Sequence, residues 1–567
     1  MGKKNITKEF EMIYQKTYYQ TLKYLKKSQI RYLVRNRLTG RKKAATSAQA
    51  PAYGDLPLWI PRLDQHPDYR KRFSVEELLE GKVTLLHESG HPGGTGWREP
   101  EKSHLWNFNL HYLEFLIPLA AAWREEPDRK YYECFRDYCR RWIEDNREGT
   151  GDGWHPYTIS LRLTNLWICL DGFGEVVRED KEFFRQLNDS MYAQYLHLQK
   201  RLELHLLGNH YFENLKAVML GALYFKEPGV YDAYKIRLGD EIAEQILPDG
   251  VHYERSLMYH KLILEDLMRT AKAVKPADRL LYQELLGTIQ KMADAMYSLE
   301  EGLGRTPLFN DAGDNVARSM TSLLAALREE FLITPVPGQA FPDAGYYCLH
   351  GKNIKILMDA GEIAPSYMPG HGHCDALSFE LSWCGKPLLV NSGTGQYQGE
   401  LRPYFRSTAA HNTVVIDGEE QSECWGEHRV ARRISQVSGQ AEGDRIRGKL
   451  LTCTGKPQGR SIEWNGQSVE IWDQVHGFAQ AYFHLAPGFF YEEQDRKAQI
   501  RSEAGDLVCT VQVAPGDHIT VHRQGRICSY APEFGRIEQT EVLEVSWPAD
   551  GSEHMIQLNF TETRKNI

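Results

Sequence analysis

The sequence predicts a multidomain α+β protein in which a long helical domain is followed by an antiparallel β-sandwich, and three observations carry that prediction. Apolar residues recur mainly at helical spacing from about Leu105 to Leu332. After ITPVPGQAFPDAG the pattern changes to short alternating or β-branched runs separated by Gly-, Asp- and Asn-containing turns. The length, 567 residues, also exceeds what one ordinary core encloses.

Taken in order, residues 1–50 read as an N-terminal helical arm ending in the linker TGRKKAATSAQAPAYG. The arm is basic and amphipathic, and a solvated helix face accounts for that more simply than membrane contact. Residues 51–335 form the helical domain, with HYLEFLIPLAAAWREEP, NLWICLDGFGEVVRE, ENLKAVMLGALYF and YHKLILEDLMRTAKAV as its clearest helices. Breaks such as GTGDGWHP, FKEPGVYD, LPDGVHY and KPAD divide it into stacked helical hairpins. Residues 336–567 supply the strands, among them YYCLHG, IKILMDAG, LSFELSW, NTVVIDG and HMIQLNF. No helices alternate with these strands, so a sandwich is favoured over an α/β sheet.

Hydrophobic residues make up 42% of the chain and charged residues 25%, the composition of a folded globular protein. A formal charge of −8 argues against general attraction to nucleic acid or acidic membranes, so a polyanionic substrate would need a local basic cleft. The ten cysteines show no paired CxxC spacing and read as free thiols. Lys, Gln or Arg interrupts every apolar stretch of the N-terminus, and no window approaches the roughly 20 apolar residues of a membrane span. A cytoplasmic location without stable membrane insertion is the expectation.

Four segments concentrate chemistry. GNHYFENLKA places Asn209, His210, Glu213 and Asn214 at a helix start, where capping by Asn209 is the structural alternative. DGVHYERSLMYHKLILED brings His252, Tyr253, Arg255, Tyr259 and His260 to another. In PGHGHCDALSFELSWCGKPLLVNSG, an extended conformation would put His371, His373 and Asp375 on one face. LRPYFRSTAAHNTVVIDGEEQ adds Arg402, Tyr404, Arg406, His411 and Asn412. His373, His411 and an oxygen ligand between them suit Zn²⁺.

These segments, in this order, resemble the heparinase II/III family of polysaccharide lyases over about Trp106 to Arg433. The resemblance implies an incomplete α/α toroid followed by a β-sandwich. It also implies that Asn209, with His210 beside it, neutralises a uronate carboxylate, that Tyr259 is a catalytic acid or base, and that His371 lies at the catalytic centre. His373 and His411 correspond to zinc ligands of metal-bearing members. The sequence departs from the family at the remaining ligand, where Asn391 replaces an Asp and weakens the expected site by one charge.

The expected reaction is β-elimination on an acidic poly- or oligosaccharide. The C5 proton becomes acidic only when donors neutralise the uronate and stabilise the developing enolate-like charge. Ordinary pKa values make His371 the natural base and Tyr259 the natural acid, although Tyr259 could do both jobs if it ionised. Arg162, Arg255, Arg402 and Arg406, with Tyr404, are candidates for binding the substrate's anionic groups. Trp106, Trp154 and Trp167 could stack on sugars, with core packing as the alternative. Two other functions stay open: a glycoside hydrolase using Asp311 and Asp314 of FNDAGDN, and a non-catalytic glycan-binding or polysaccharide-assembly protein.

Overall fold

Helix starts in the first half follow capping chemistry. Asp128, Asp180, Asp278 and Ser319 accept backbone N–H groups at the starts of Arg129–Asp145, Lys181–Gln199, Arg279–Glu300 and Met320–Phe331. Pro156 and Pro228 open two more helices, Pro156–Phe173 and Pro228–Gln245, where a missing N–H costs nothing. The apolar spacing then decides which face turns inward. Arg129–Asp145 buries Tyr132, Phe135, Tyr138, Cys139 and Trp142, which fall on one helical face, and leaves its charged face outside. Burying each large side chain contributes roughly 1.5–3 kcal/mol.

The computed structural model describes residues 16–39, 48–93, 97–494 and 497–561. The basic start of the expected arm, 1–15, and most of its linker, 40–47, lie outside the described residues. The arm's described part includes the helix Lys27–Thr39. Helices run from His104 to Phe331 around one core containing Trp106, Trp167, Phe135, Leu215 and Met268. Trp106, Trp154 and Trp167 are all buried in this domain, which corrects the sugar-stacking option for each. No described helix is long and apolar enough to cross a membrane.

The C-terminal region is antiparallel β. Among the described residues, five strands from Ala340 to Leu389 form one sheet, and a ten-stranded sheet is built around the long pair Ser468–His484 and Val542–Phe560. The sheets share a core in which Leu349, Ile356 and Met358 of one meet Ile446, Ile462 and Ile471 of the other. The expected order, helices first and antiparallel strands second, is the order observed.

A separate apolar cluster joins the two regions: Val251, Leu257, Leu299 and Phe309 pack against Phe341, Tyr346 and Leu357. Arg255 Nε donates to Ala344 O at 2.9 Å, and Ala344 N to Asp249 Oδ2 at 2.9 Å, across the same seam. This junction fixes the helical segments bearing Asn209 and Tyr259 relative to the sandwich loops bearing His371.

Candidate active site

The helix Gly208–Tyr224 starts at a backbone corner where Leu207 and Gly208 both have positive φ. Only glycine suits position 208, because a Cβ there would also lie 2.2 Å from Met368 Sδ of the sandwich. The corner places Asn209 and His210 in the first turn of the helix. Leu207 occupies the cap position without a side-chain cap bond, so Asn209 is not the cap, contrary to the structural alternative. Asn209 N donates to Glu254 Oε1 at 3.2 Å. His210 stacks on Tyr157 with ring centroids 4.1 Å apart, and its Nδ1 lies 3.1 Å from Glu203 Oε1. Asn214 Nδ2 holds the other Glu203 oxygen at 3.1 Å.

Asp311 is the hub on the sandwich-facing side. It is wholly buried, and His371 Nδ1 lies 2.9 Å from its Oδ2 while His373 Nε2 lies 2.8 Å from its Oδ1. Arg402 forks onto both carboxylate oxygens, and Thr394 Oγ1 donates to Oδ1 at 3.1 Å. Burial opposes the charge, but Arg402 and the two histidine hydrogen bonds outweigh it and hold the carboxyl well below its ordinary pKa. An ionised Asp311 accepts Nδ1–H of His371, and in the neutral imidazole this puts the lone pair on Nε2. That nitrogen is 3.9 Å from Glu254 Oε2, so Glu254 touches both Asn209 and the His371 side of the site.

The helix Leu257–Val274, capped by Ser256, carries Tyr259. Its hydroxyl is 2.7 Å from that of Tyr397, and its ring lies 4.5 Å from the His371 ring, centroid to centroid. Burial, with Tyr397 and the nearby carboxylates Glu254 and Asp311, raises the Tyr259 pKa well above that of free tyrosine. Tyr259 therefore rests as a proton donor.

The chain matches the description Heparinase II/III N-terminus over residues 91–332 and Heparinase II/III-like, C-terminal over 333–557. It belongs to the heparinase II/III family. A heparin-sulfate lyase of Bacteroides thetaiotaomicron is 26% identical over 407 residues, covering 62% of this chain and 57% of that protein. The chain thus matches little more than half the length of this curated relative. A crystal structure of heparinase III superposes with a TM-score of 0.68 at 18% identity, over 98% of this chain and 91% of that one. A mutant heparan sulfate lyase of Pedobacter heparinus gives 0.61 at 16%, over 88% and 84%. At these identities the structural likeness speaks for the fold.

In this heparinase II/III family member a second cluster lies directly behind Asp311. Ligand atoms of His373, Asp375 and His411 come within 4.8 Å of one another, and all three residues are buried. Among the described residues, His373 Nδ1 and His411 Nε2 have no hydrogen-bond partner. Burial keeps both imidazoles neutral, His373 at a pKa of about 4 and His411 well below its ordinary value. Two neutral imidazole lone pairs beside a carboxylate are a donor set that fits a Zn²⁺ ion. The buried triad could therefore bind a metal. The expected oxygen ligand changes, however. Asn391 Oδ1 faces His411 Nδ1 at 3.2 Å, so Asn391 orients His411, and Asp375 would be the carboxylate ligand of a bound ion.

Other expectations need correction. The segment with His371, His373 and Asp375 is a turn and not an extended strand, and the two histidines converge because both reach Asp311. All five proposed substrate-binding residues are buried. Arg162 is fully buried, donates to His111 O, Gly153 O and Gln194 Oε1, and lies over Trp142. Arg255 donates to Ala344 O and Asp343 O, Arg402 to Asp311, and Arg406 to Gly372 O and Glu427 O, with Arg406 Nη2 buried and unpartnered among the described residues. Tyr404 donates to Ile527 O at 2.6 Å. These groups build the loops around the site.

Asp311 and Asp314 do not form a facing pair of carboxylates. Asp314 accepts from Thr306 N at 3.1 Å, a loop role, while Asp311 is locked in its ion pair. Sequence reasoning missed the hub role of Asp311, together with Glu254, Glu203, Tyr157 and Tyr397. Tyr397 sits in the turn-rich stretch GTGQYQGE, where no periodicity marks it.

Proposed function

We propose that this chain is a polysaccharide lyase that cleaves next to a uronate by β-elimination. The observation that carries this reading is the pairing of a neutral, buried Tyr259 with a His371 whose Nδ1 is held by an ionised Asp311. His371 Nε2 takes the C5 proton, the C5–H electrons become the C4–C5 double bond, and the C4–O4 bond breaks. Tyr259 gives its hydroxyl proton to the departing O4. Tyr397 then stabilises the Tyr259 phenolate through the short contact between their hydroxyls.

With the four arginines engaged internally, recognition of the carboxylate falls to the amide of Asn209 and the imidazoles on the helical rim. His210 keeps 31% of its side chain exposed, and His155, 38% exposed, lies 3.7 Å from the same Glu203 oxygen. Donors aimed at the carboxylate stabilise charge that grows as the proton leaves. The substrate class is an acidic poly- or oligosaccharide. Zinc bound by His373, His411 and Asp375 would serve structurally, pinning the turn that carries His371.

The test is incubation with a panel of uronate polysaccharides while following the ultraviolet absorbance of the unsaturated product. Cleavage with new reducing ends and no such absorbance would establish hydrolysis. Tight binding without any cleavage would favour the glycan-binding alternative.

A further inference from the structure

We propose that the N-terminal arm closes one end of the cleft, so that the protein works inward from chain ends instead of cutting within a polymer. This rests on the lyase reading above. The arm bridges the two halves of the site on one side. Thr21 Oγ1 accepts from Trp425 Nε1 at 3.0 Å, and Tyr18 Oη accepts from Arg429 Nη1 at 3.0 Å. Trp425 and Arg429 pair across the short hairpin that holds His428, whose ring lies 6.2 Å from that of His371.

Ten residues on, the same arm is anchored to the helical domain. Gln29, itself buried, donates from Nε2 to His205 O at 3.2 Å, and Tyr32 Oη donates to Leu202 O at 2.7 Å. The Leu202–His205 loop leads directly to Asn209 and His210. Between the two anchors, Lys26 lies 3.9 Å above the ring of Tyr367 and pairs with Glu244. The residue after Tyr367, Met368, packs on Gly208. Arm, Tyr367–Met368 segment and Gly208 corner thus form a line of contacts from the loop before Asn209 to the hairpin of His428. A polymer cut internally must leave the site in both directions. By this inference the arm side takes a terminal sugar or short oligosaccharide, and the rest of the chain leaves by the other side.

The test follows product size and double-bond formation together, using the full-length protein and the polysaccharide that gives unsaturated product. The expected result is early accumulation of small unsaturated products while the polymer peak in size-exclusion chromatography keeps its position. Gln29→Ala combined with Tyr32→Ala, which releases the arm from the helical domain, should shift the products to mixed lengths and steepen the loss of viscosity per double bond formed. Early random fragmentation of the polymer by the unaltered protein would overturn the inference and leave the lyase reading intact. Unchanged product sizes in a folded double variant would overturn the arm's role. Absence of unsaturated product from every polysaccharide would overturn the lyase reading and this inference with it.

Discussion

His371 Nδ1 and Asp311 Oδ2 lie 2.9 Å apart, and the carboxylate that orients this histidine is itself sealed from solvent and neutralised by Arg402. The contact leaves Nε2 as the nitrogen of His371 that faces Glu254 Oε2, 3.9 Å away. Asp311→Asn keeps the shape but removes the charge that selects this tautomer. Turnover should fall by about a hundredfold or more, and loss of a buried partner of Arg402 should cost about 3–5 kcal/mol. Steady-state kinetics and thermal melting of the variant check both; normal turnover would remove Asp311 from the mechanism.

The same carboxylate makes a pH prediction. Its folded-state pKa lies well below the unfolded value, so its stabilisation is fully present above about pH 4, where the unfolded carboxyl ionises. That stabilisation is lost as pH falls from there through the folded pKa. Melting temperature measured downward from neutral pH should fall more steeply for the unaltered protein than for Asp311→Asn in the acid range.

Tyr259→Phe should lower turnover by at least about a hundredfold. It removes one hydrogen bond, to Tyr397, so stability should drop by only about 1 kcal/mol. Turnover near that of the unaltered protein on its best substrate would exclude Tyr259 as the acid.

For the metal, zinc titration by calorimetry should show one site that is lost in His411→Ala and weakened in Asp375→Asn. Asn391→Asp should tighten it by about tenfold or more, because a carboxylate on His411 Nδ1–H makes the opposite nitrogen a better donor. If purified protein holds no zinc after incubation and chelators change neither melting nor activity, the cluster is held by protein hydrogen bonds alone.

Arg162→Met should destabilise the fold by about 2–3 kcal/mol, since it strands buried carbonyls of His111 and Gly153. KM should stay unchanged because the guanidinium never reaches the cleft. A raised KM at unaltered stability would return Arg162 to substrate binding.

Much of this protein was legible in the chain alone, because periodicity and turn chemistry are local. The switch from helical spacing to short strands after ITPVPGQAFPDAG required no knowledge of contacts, whereas the choice of Asn209, Tyr259, His371 and His411 within their segments came from the resemblance to the family. Tertiary structure alone decided which polar groups were left to act. Arg162, Arg402 and Arg406 have the same formal charge and donors as substrate-binding arginines. Only packing reveals that carbonyls and Asp311 across long sequence separations have already used them. Asp311 was hidden for the converse reason: in FNDAGDN it is indistinguishable from a turn residue, and its role comes from partners 60 to 91 positions away in the chain. A buried charge must be compensated wherever it falls, and the compensating group is chosen by distance in space, which sequence spacing does not encode.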